Sequence, residues 1–269
     1  MRRSTGRGFG LVLALLTLGG VPAAPGAQEF CYGPGDGSCT PPDRWPGACN
    51  LAASKRQSPV DIFDSRRKHL PELVFRYRPT PLKVLSNGHT VEVEYEAERA
   101  SLQVGGETCE LRQFHFHTTA EHAVGGVVAP LEAHLVHACP SGGLIVVGVL
   151  MNYARNEPNR ALEAALDGAP REGGRFVEGE NEVEGREVDA RALLPADTRY
   201  VTYGGSLTTP PCSEVVRWVV LRQPMTVSRD QVLRLQRLLA ETSPDGFARN
   251  NRPLQDLERR TIRASLPPR

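Results

Sequence analysis

Segments in which apolar and polar side chains alternate dominate the middle of the chain. They are VEVEYE (91–96), QFHFH (113–117), AHLVHA (133–138) and the more continuously apolar LIVVGVLM (144–151). Alternation with a period of two residues is typical of β-strands, and turn-forming pairs such as Asn87-Gly88 and Gly142-Gly143 separate the segments. The pattern predicts a protein built mainly of β-strands.

The second half of the chain adds two helices and more strands. Residues 158–167 predict a short helix, and Ser228 with Gln231 has the spacing of a capping box at the start of a second helix. The stretch 168–188, rich in glycine and glutamate, predicts a loop with little regular structure. Two further segments predict strands, RYVTY (199–203) and VVRWVVL (215–221). Because we find no internal repeat and no linker between two apolar cores, we expect a single β-rich domain with peripheral helices.

The N-terminus has the composition of a secretory signal peptide. Three arginines, at positions 2, 3 and 7, precede the apolar run FGLVLALLTLGGV, and small residues follow in VPAAPGAQ. The run is too short to serve comfortably as a permanent bilayer anchor. We therefore expect a signal peptide over residues 1–23, with cleavage as late as Ala27, and a mature protein that is periplasmic or secreted and not bound to a membrane.

The cysteines agree with export, and the charge gives no sign of a nucleic-acid partner. The chain has six cysteines, an even number, and none forms a CxxC pair. An oxidising compartment favours disulfides over a zinc knuckle or a redox centre for such a set. The formal net charge is +1 over 269 residues, with no basic patch or acidic tail. Nothing in the charge pattern therefore indicates a nucleic-acid partner.

Two histidines share one face of the segment QFHFH. Side chains two residues apart on a strand project from the same face, so His115 and His117 point together and the two phenylalanines point away. A third imidazole would leave one corner of a tetrahedron open, which is the pattern of a catalytic zinc site. The segment AHLVHA offers His134 and His137, which face opposite sides, and spacing does not choose between them. The alternative is a set of buried histidines that hydrogen-bond to the backbone.

Six sequence segments together resemble one family, the α-class carbonic anhydrases in their exported bacterial form. In chain order they are RQSPVDI (56–62), SNGHTVEV (86–93), QFHFHTTAEH (113–122), EAHLVH (132–137), SLTTPPCSE (206–214) and NNRPLQ (250–255). The resemblance covers roughly residues 30–262. It implies a mainly β (α+β) fold with one large central, mostly antiparallel twisted sheet and short peripheral helices, and a catalytic domain over residues 28–264.

The resemblance also implies the chemistry. The zinc ligands would be His115, His117 and His134, and His137 would be a structural histidine. The reaction would be the reversible hydration of carbon dioxide to bicarbonate and a proton, by attack of zinc-bound hydroxide on CO2. The same hydroxide would support weak ester hydrolysis as a side activity.

Each remaining family position implies a role. Thr208 would orient the hydroxide through Glu121, and His89 would be the proton shuttle. Gln113 and Glu132 would hydrogen-bond the outer nitrogens of the zinc histidines. The apolar seat for CO2 would be formed by Val136, Val146, Leu207 and Trp218. Thr209 and Asn87 would line the polar side of the cavity, whose shape would be altered because Thr118 replaces a tryptophan of the animal forms.

Family members that are exported carry a disulfide at positions that correspond to Cys49 and Cys212. Cys31 with Cys39 would be a local pair. Cys109 and Cys139 lie at nearly mirrored distances along the chain from His115 and His134, on strands expected to be adjacent and antiparallel, so they would form a third pair.

A different class of function is a catalytically inactive relative that keeps the fold as a binding module. Such relatives typically lose a zinc histidine, whereas all three are present here. The expected assembly is a monomer or a homodimer.

Overall fold

The alternating segments form neighbouring strands of one large sheet. The computed structural model describes residues 29–266 except positions 36, 64 and 156. The expected signal peptide, residues 1–23 or up to 27, lies outside the described residues. Among the described residues, no helix is both long and apolar enough to span a membrane.

Seventeen strands are present in the described part of the chain. They are β1 (Ser65–Lys68), β2 (Val74–Tyr77), β3 (Thr80–Ser86), β4 (Val91–Glu94), β5 (Ala100–Val104), β6 (Glu107–His117), β7 (Ala123–Val124), β8 (Val127–Val128), β9 (Leu131–Ala138), β10 (Leu144–Tyr153), β11 (Arg171–Glu172), β12 (Arg175–Phe176), β13 (Gly179–Val188), β14 (Tyr200–Gly205), β15 (Val216–Leu221), β16 (Met225–Val227) and β17 (Ile262–Ser265). The helices are α1 (Arg160–Gly168), α2 (Arg229–Thr242) and three short 3-10 helices, Pro42–Arg44, Gly47–Asn50 and Ala190–Leu193.

Thirteen of the strands form the central sheet. Its order is β1-β17-β14-β15-β10-β9-β6-β4-β3-β13, and β2, β5 and β16 pair with strands of this path. Most neighbours are antiparallel, whereas β1 with β17, β10 with β15 and β10 with β16 are parallel. The predicted fold class is confirmed. Strands β6, β9 and β10, which carry the histidines and their apolar neighbours, lie side by side in the middle of the sheet.

The two faces of the sheet have different contents. Phe114 and Phe116 of β6 point into the larger hydrophobic core, together with Leu135 of β9. Val136, which follows Leu135 in β9, belongs to a separate and smaller apolar cluster, and so does Trp218 of β15. Because strand side chains alternate between faces, the histidines of β6 project from the face opposite to its phenylalanines. The larger core therefore supports the sheet from one side, and the other side is left for the site.

Both predicted helices are confirmed, and they pack against each other. The Asn159 side chain accepts hydrogen bonds from the backbone N–H groups of Ala161 and Leu162 at the start of α1. Ser228 and Gln231 form the predicted capping box of α2. The Gln231 side chain also donates to the backbone oxygen of Asn159, at 2.8 Å. The two caps thus hold the helix starts together.

The prediction of a loop over residues 168–188 is wrong. The structure forms the short hairpin β11–β12 and the ten-residue strand β13, which pairs with β3 as an edge of the sheet. Nearly all of β13 is exposed on both faces, so it has no apolar alternation to reveal it. Cross-strand pairing stabilises it instead, for example through Lys83, whose ammonium lies 3.1 Å from the carboxylate of Glu180.

Three disulfides involve all six cysteines. Cys31 pairs with Cys39, Cys49 with Cys212, and Cys109 with Cys139. The second bond joins residues 163 positions apart and connects the N-terminal arm to the loop after β14. That loop contains Thr208, so the bond fixes the segment that approaches the histidines.

Candidate metal centre

Three imidazoles meet on one face of the sheet. His115 and His117 come from β6, and His134 lies on β9, directly opposite His115 in the antiparallel register. The ring centroids are 5.0 Å apart for His115 and His117, 5.2 Å for His115 and His134, and 4.5 Å for His117 and His134. One nitrogen of each ring lies within 4.8 Å of the other two. The strands therefore converge three ring nitrogens on one point.

The outer nitrogen of each ring faces an oxygen. His115 Nδ1 lies 2.8 Å from Gln113 Oε1, and His117 Nδ1 lies 2.8 Å from the backbone oxygen of Asn250. His134 Nε2 lies 3.0 Å from Glu132 Oε1. A nitrogen that faces a carbonyl or carboxylate oxygen carries the proton, so the lone pair of each ring is on its other nitrogen.

The inner nitrogen of His117 has no hydrogen-bond partner among the described residues of the protein. This atom, Nε2, is buried. A buried lone pair without a partner costs free energy, which a cation would recover. Three neutral imidazoles whose outer nitrogens each lie within 3.0 Å of an oxygen suit Zn²⁺, which takes three protein ligands in catalytic sites.

The charge state of the rings agrees with metal binding. Burial lowers the pKa of His115 well below its usual value, and the neighbouring His117 and His134 lower it further. Burial also lowers the pKa of His117 to about 4. It lowers the pKa of His134 as well, against the raising effect of Glu132. The rings are therefore neutral at pH 7, which is the form that binds a metal.

His137 lies apart from the three rings. Its Nε2 lies 2.7 Å from the Tyr77 hydroxyl, and its Nδ1 lies 3.2 Å from the backbone oxygen of Ile145. Both nitrogens therefore have partners. Of the two histidines that the spacing of AHLVHA left open, His134 is the one beside His115 and His117.

Glu132 connects the site to a buried hydrogen-bond network. Its Oε1 lies 2.8 Å from His122 Nδ1, and its Oε2 accepts from the backbone N–H groups of Glu121 and His122. His122 Nε2 lies 2.6 Å from the Tyr203 hydroxyl. Although burial alone would raise the pKa of Glu132, His122 and His134 hold it well below its usual value. The carboxylate is ionised and rigidly held.

Gly148 leaves room for this carboxylate. A Cβ at position 148 would lie 2.7 Å from Glu132 Oε1 and 3.4 Å from a methyl group of Val220. Gly148 lies on β10, directly opposite His134 in the register of β9. A larger residue at this position would displace the Glu132 side chain.

Thr208 and Glu121 lie next to the imidazoles. Glu121 is completely buried, its Oε1 lies 3.7 Å from His117 Nδ1, and it accepts a hydrogen bond from the backbone N–H of Arg252 at 2.8 Å. Burial raises the pKa of Glu121 to about 7, and the nearby His134, the Arg252 N–H and the Thr208 hydroxyl each lower it in part. Thr208 therefore lies close enough to Glu121 to influence its carboxyl group, whose Oε2 is buried without a hydrogen-bond partner among the described residues.

The apolar residues singled out in the sequence form one wall beside the rings. Val136 is opposite Val146 in the register of β9 and β10, and Val146 is opposite Trp218 in the register of β10 and β15. Leu207 packs against the same cluster. The indole ring of Trp218 lies 4.8 Å from the His134 ring. These four side chains therefore give the site one apolar side.

His89 and Asn87 lie on the turn before β4. The Asn87 side chain accepts from the backbone N–H groups of His89 and Thr90, so it closes the turn. The His89 ring stacks on Phe30 of the N-terminal arm, and its Nε2 lies 3.5 Å from Glu29. Burial lowers the pKa of His89 to about 4, against the raising effect of Asp245. The position next to the turn is as predicted, whereas the aromatic cover is not visible in the sequence.

Two other sequence positions have simpler surroundings. Thr118 is buried, and its backbone N–H donates to the Asn250 side chain at 2.9 Å. Thr209 is half-buried, and its backbone oxygen accepts from Cys212 in the loop that carries Thr208. Thr209 therefore helps to shape that loop.

Several polar residues of the site were not anticipated from the sequence. His122 holds Glu132 and is itself held by Tyr203, the Asn250 backbone holds His117, and Glu92 holds Gln113. A charged residue inside an alternating strand, such as Glu92 in VEVEYE, was the only signal for any of them. The others lie in segments where nothing separates a site residue from a surface residue.

Comparisons with known proteins agree with this geometry. A family model described as eukaryotic-type carbonic anhydrase matches residues 40–266. A carbonic anhydrase of a Nostoc species is 35% identical over 230 residues, which is 82% of this chain and 81% of the relative. One of Klebsiella pneumoniae is 34% identical over 256 residues, which is 93% of this chain and 96% of the relative. The solved structure of the Photobacterium profundum alpha-carbonic anhydrase is 37% identical, with a TM-score of 0.69 over 80% of this chain and 91% of that one.

Proposed function

Because the chain belongs to the eukaryotic-type, or alpha, carbonic anhydrase family and is an enzyme of that class, we propose that it hydrates CO2 at a zinc ion held by His115, His117 and His134. One observation carries the proposal. Three neutral imidazoles converge on one point, and the outer nitrogen of each already faces an oxygen. The reaction yields bicarbonate and a proton and is reversible.

Zinc in such a site lowers the pKa of a water molecule to about 7, a magnitude established on carbonic anhydrases themselves, and so supplies hydroxide at neutral pH. The protein supplies the ligand geometry. Glu132, the Asn250 backbone and Gln113 hold the three rings so that their lone pairs face the same point.

In this proposal Thr208 orients the hydroxide. Oε1 of Glu121 accepts from the backbone N–H of Arg252, and Oε2 is buried without a partner in the described part of the chain, so Oε2 would accept from the Thr208 hydroxyl. A hydroxyl that donates to Glu121 can only accept a hydrogen bond from the nucleophile. That arrangement would let Thr208 orient the nucleophile toward the carbon of CO2, and it would disfavour bound molecules that have no proton to donate.

The apolar wall would hold CO2. The substrate is neutral and linear and needs a dry surface next to the nucleophile, which Val136, Val146, Leu207 and Trp218 provide. Thr209 would face the polar side. The product bicarbonate is charged, so it would leave the apolar wall for water.

The hydration step releases a proton, and His89 would pass it to the solvent. An imidazole is the side chain whose protonation changes near neutral pH. In the stacked position burial lowers its pKa to about 4. Exposure of the ring to water would remove the effect of burial and let it take up a proton closer to neutral pH.

The protein would act in an oxidising compartment outside the cytoplasm. Three disulfides support this, because such bonds persist in the periplasm or outside the cell. The mature catalytic domain would span residues 28–264, and the same site would hydrolyse esters weakly. An inactive binding module has no observation in its favour.

Stopped-flow measurement of CO2 hydration on the purified mature protein tests the proposal. We expect about one zinc ion per chain, a rapid reaction, loss of activity when a chelator removes the metal and recovery when zinc is returned. A primary sulfonamide should inhibit the loaded enzyme. A folded protein that holds about one zinc ion and does not accelerate CO2 hydration above the uncatalysed rate would contradict the proposal. A protein that contains no zinc and takes up none would contradict it as well.

A further inference from the structure

A buried carboxylate supports one of the three rings through an intermediate side chain. Glu92 lies on β4, directly opposite His115 of β6 in the antiparallel register, and only 8% of it is exposed. The Gln113 amide nitrogen donates to Glu92 Oε2 at 2.9 Å. The amide oxygen of the same residue lies 2.8 Å from His115 Nδ1. Glu92, Gln113 and His115 thus form a linear hydrogen-bonded chain.

The chain has a defined direction when Glu92 is ionised, because a carboxylate can only accept. The protonated form would also carry an O–H donor and would not fix the direction. With Glu92 ionised, the Gln113 –NH2 group must therefore face Glu92, and the amide oxygen must face His115. His115 Nδ1 then carries the proton, and the lone pair is left on Nε2.

The other two rings do not need such a support. His117 Nδ1 faces a backbone carbonyl, which cannot exchange its donor and acceptor ends. His134 Nε2 faces the Glu132 carboxylate, which has no donor end when ionised. Only His115 depends on an amide, and a rotated amide would present N–H to Nδ1. The ring would then carry its proton on Nε2 and could not donate a lone pair to a metal from there.

We propose that Glu92 is a positioning residue that fixes the orientation of the Gln113 amide and thereby the tautomer of His115. The inference rests on the proposed function, since it assumes a metal at the three rings. The hydrogen bonds that orient His115 would thus include one further residue beyond Gln113 of β6, namely Glu92 of β4.

The test measures how fast the zinc-loaded protein releases its metal to an excess of dipicolinate. The variants are Glu92→Leu, Glu92→Gln, Gln113→Leu and the Glu92→Leu/Gln113→Leu pair. The matched control is Glu94→Gln, which removes the other carboxylate of β4, whose partner is the half-buried Lys83. Measurement at pH 9 keeps Glu92 ionised in the wild type, because burial raises its pKa to about 8.

We expect Glu92→Leu to speed zinc release by about 10-fold, the lower end of the usual effect of residues that orient metal ligands. Glu92→Gln should speed zinc release by less than Glu92→Leu does, because its carbonyl oxygen can accept from the Gln113 amide but its –NH2 end also permits the reversed orientation. Glu94→Gln should have no effect. In the Gln113→Leu background, Glu92→Leu should add nothing, since the residue acts only through that amide.

Unchanged zinc release in a folded Glu92→Leu protein would overturn the inference, and so would an equal effect of that substitution with and without Gln113. If Glu92→Leu does not fold, Glu92→Met removes the acceptor with an unbranched side chain and replaces it in the same comparison. Zinc release is measured without CO2. A failure of the proposed function would therefore appear as absent hydration with this pattern intact.

Discussion

The imidazole of His89 lies face to face with the phenyl ring of Phe30, with the ring centroids 3.7 Å apart and the planes inclined by 12°. Tyr32 approaches the same imidazole edge-on. The His89 Nδ1 atom is buried without a hydrogen-bond partner. The Cys31–Cys39 disulfide lies within this aromatic arm. The arm therefore covers the residue that we assign to proton export and keeps its ring neutral at pH 7.

Removing the Phe30 ring that covers His89 should raise the pKa of the His89 imidazole. In Phe30→Ala the protonated ring would regain water, so we expect its pKa to rise from about 4 toward the usual value near 6.5. Nuclear magnetic resonance titration of the imidazole measures this shift. Turnover in weak buffer at pH 7 should increase, because more of the rings can take up a proton.

His89→Ala is the matched comparison for the cover. It should lower turnover in weak buffer, and a high concentration of a small imidazole buffer should restore it. An unchanged titration of His89 in the Phe30→Ala protein would show that the stacking does not control its pKa.

Thr208→Ala should reduce turnover by about 100-fold, the cost of a misaligned reacting group. The hydroxyl beside Glu121 is lost, while the three imidazoles and their partners stay in place. Zinc content by atomic absorption should therefore remain near one per chain. Near-normal hydration by this variant would remove Thr208 from the mechanism.

The two histidines of β9 should behave differently. His134→Ala removes one of the three converging nitrogens and should abolish tight zinc binding, measured as metal content after dialysis against a chelator. His137→Ala removes contacts with Tyr77 and Ile145 only. It should destabilise the fold and keep the metal. Greater zinc loss from His137→Ala than from His134→Ala would reverse the assignment.

The disulfides should differ in their contribution to stability. Cys49–Cys212 closes a sequence separation of 163 residues, and Cys31–Cys39 closes one of 8. Chain entropy gives about 5 kcal/mol for the first and about 2.5 kcal/mol for the second. Paired serine substitutions, compared by chemical denaturation, measure the difference. Equal losses in the two variants would show that unfolded-chain entropy does not govern these bonds.

The sequence predicted the strands that carry the site because their patterns are strong. QFHFH alternates strictly, and its two faces enter different surroundings, so both strand and face followed from spacing. The choice between His134 and His137 did not follow. Their parity separates them, but only the pairing of β6 with β9 shows which face of β9 joins His115.

Other features depend on neighbours that are distant in the chain. β13 forms because β3 offers it a partner, and no apolar pattern in GENEVEGREV signals this. The low pKa of His89 comes from burial, and one of the rings that cover it is Phe30, which lies 59 positions earlier in an irregular arm. Patterns within a segment indicate its local structure, whereas a charge state or an edge strand requires the assembled fold.

Gly148 lies at a position in the middle of the sheet where a larger side chain would not fit. Its missing side chain is the space in which the Glu132 carboxylate holds both His122 and His134. Even a single methyl group added there would press on that carboxylate from the next strand. For anyone who redesigns this enzyme, β10 is closed to enlargement at this point, and a damaged metal site could originate in a residue that never touches the ion.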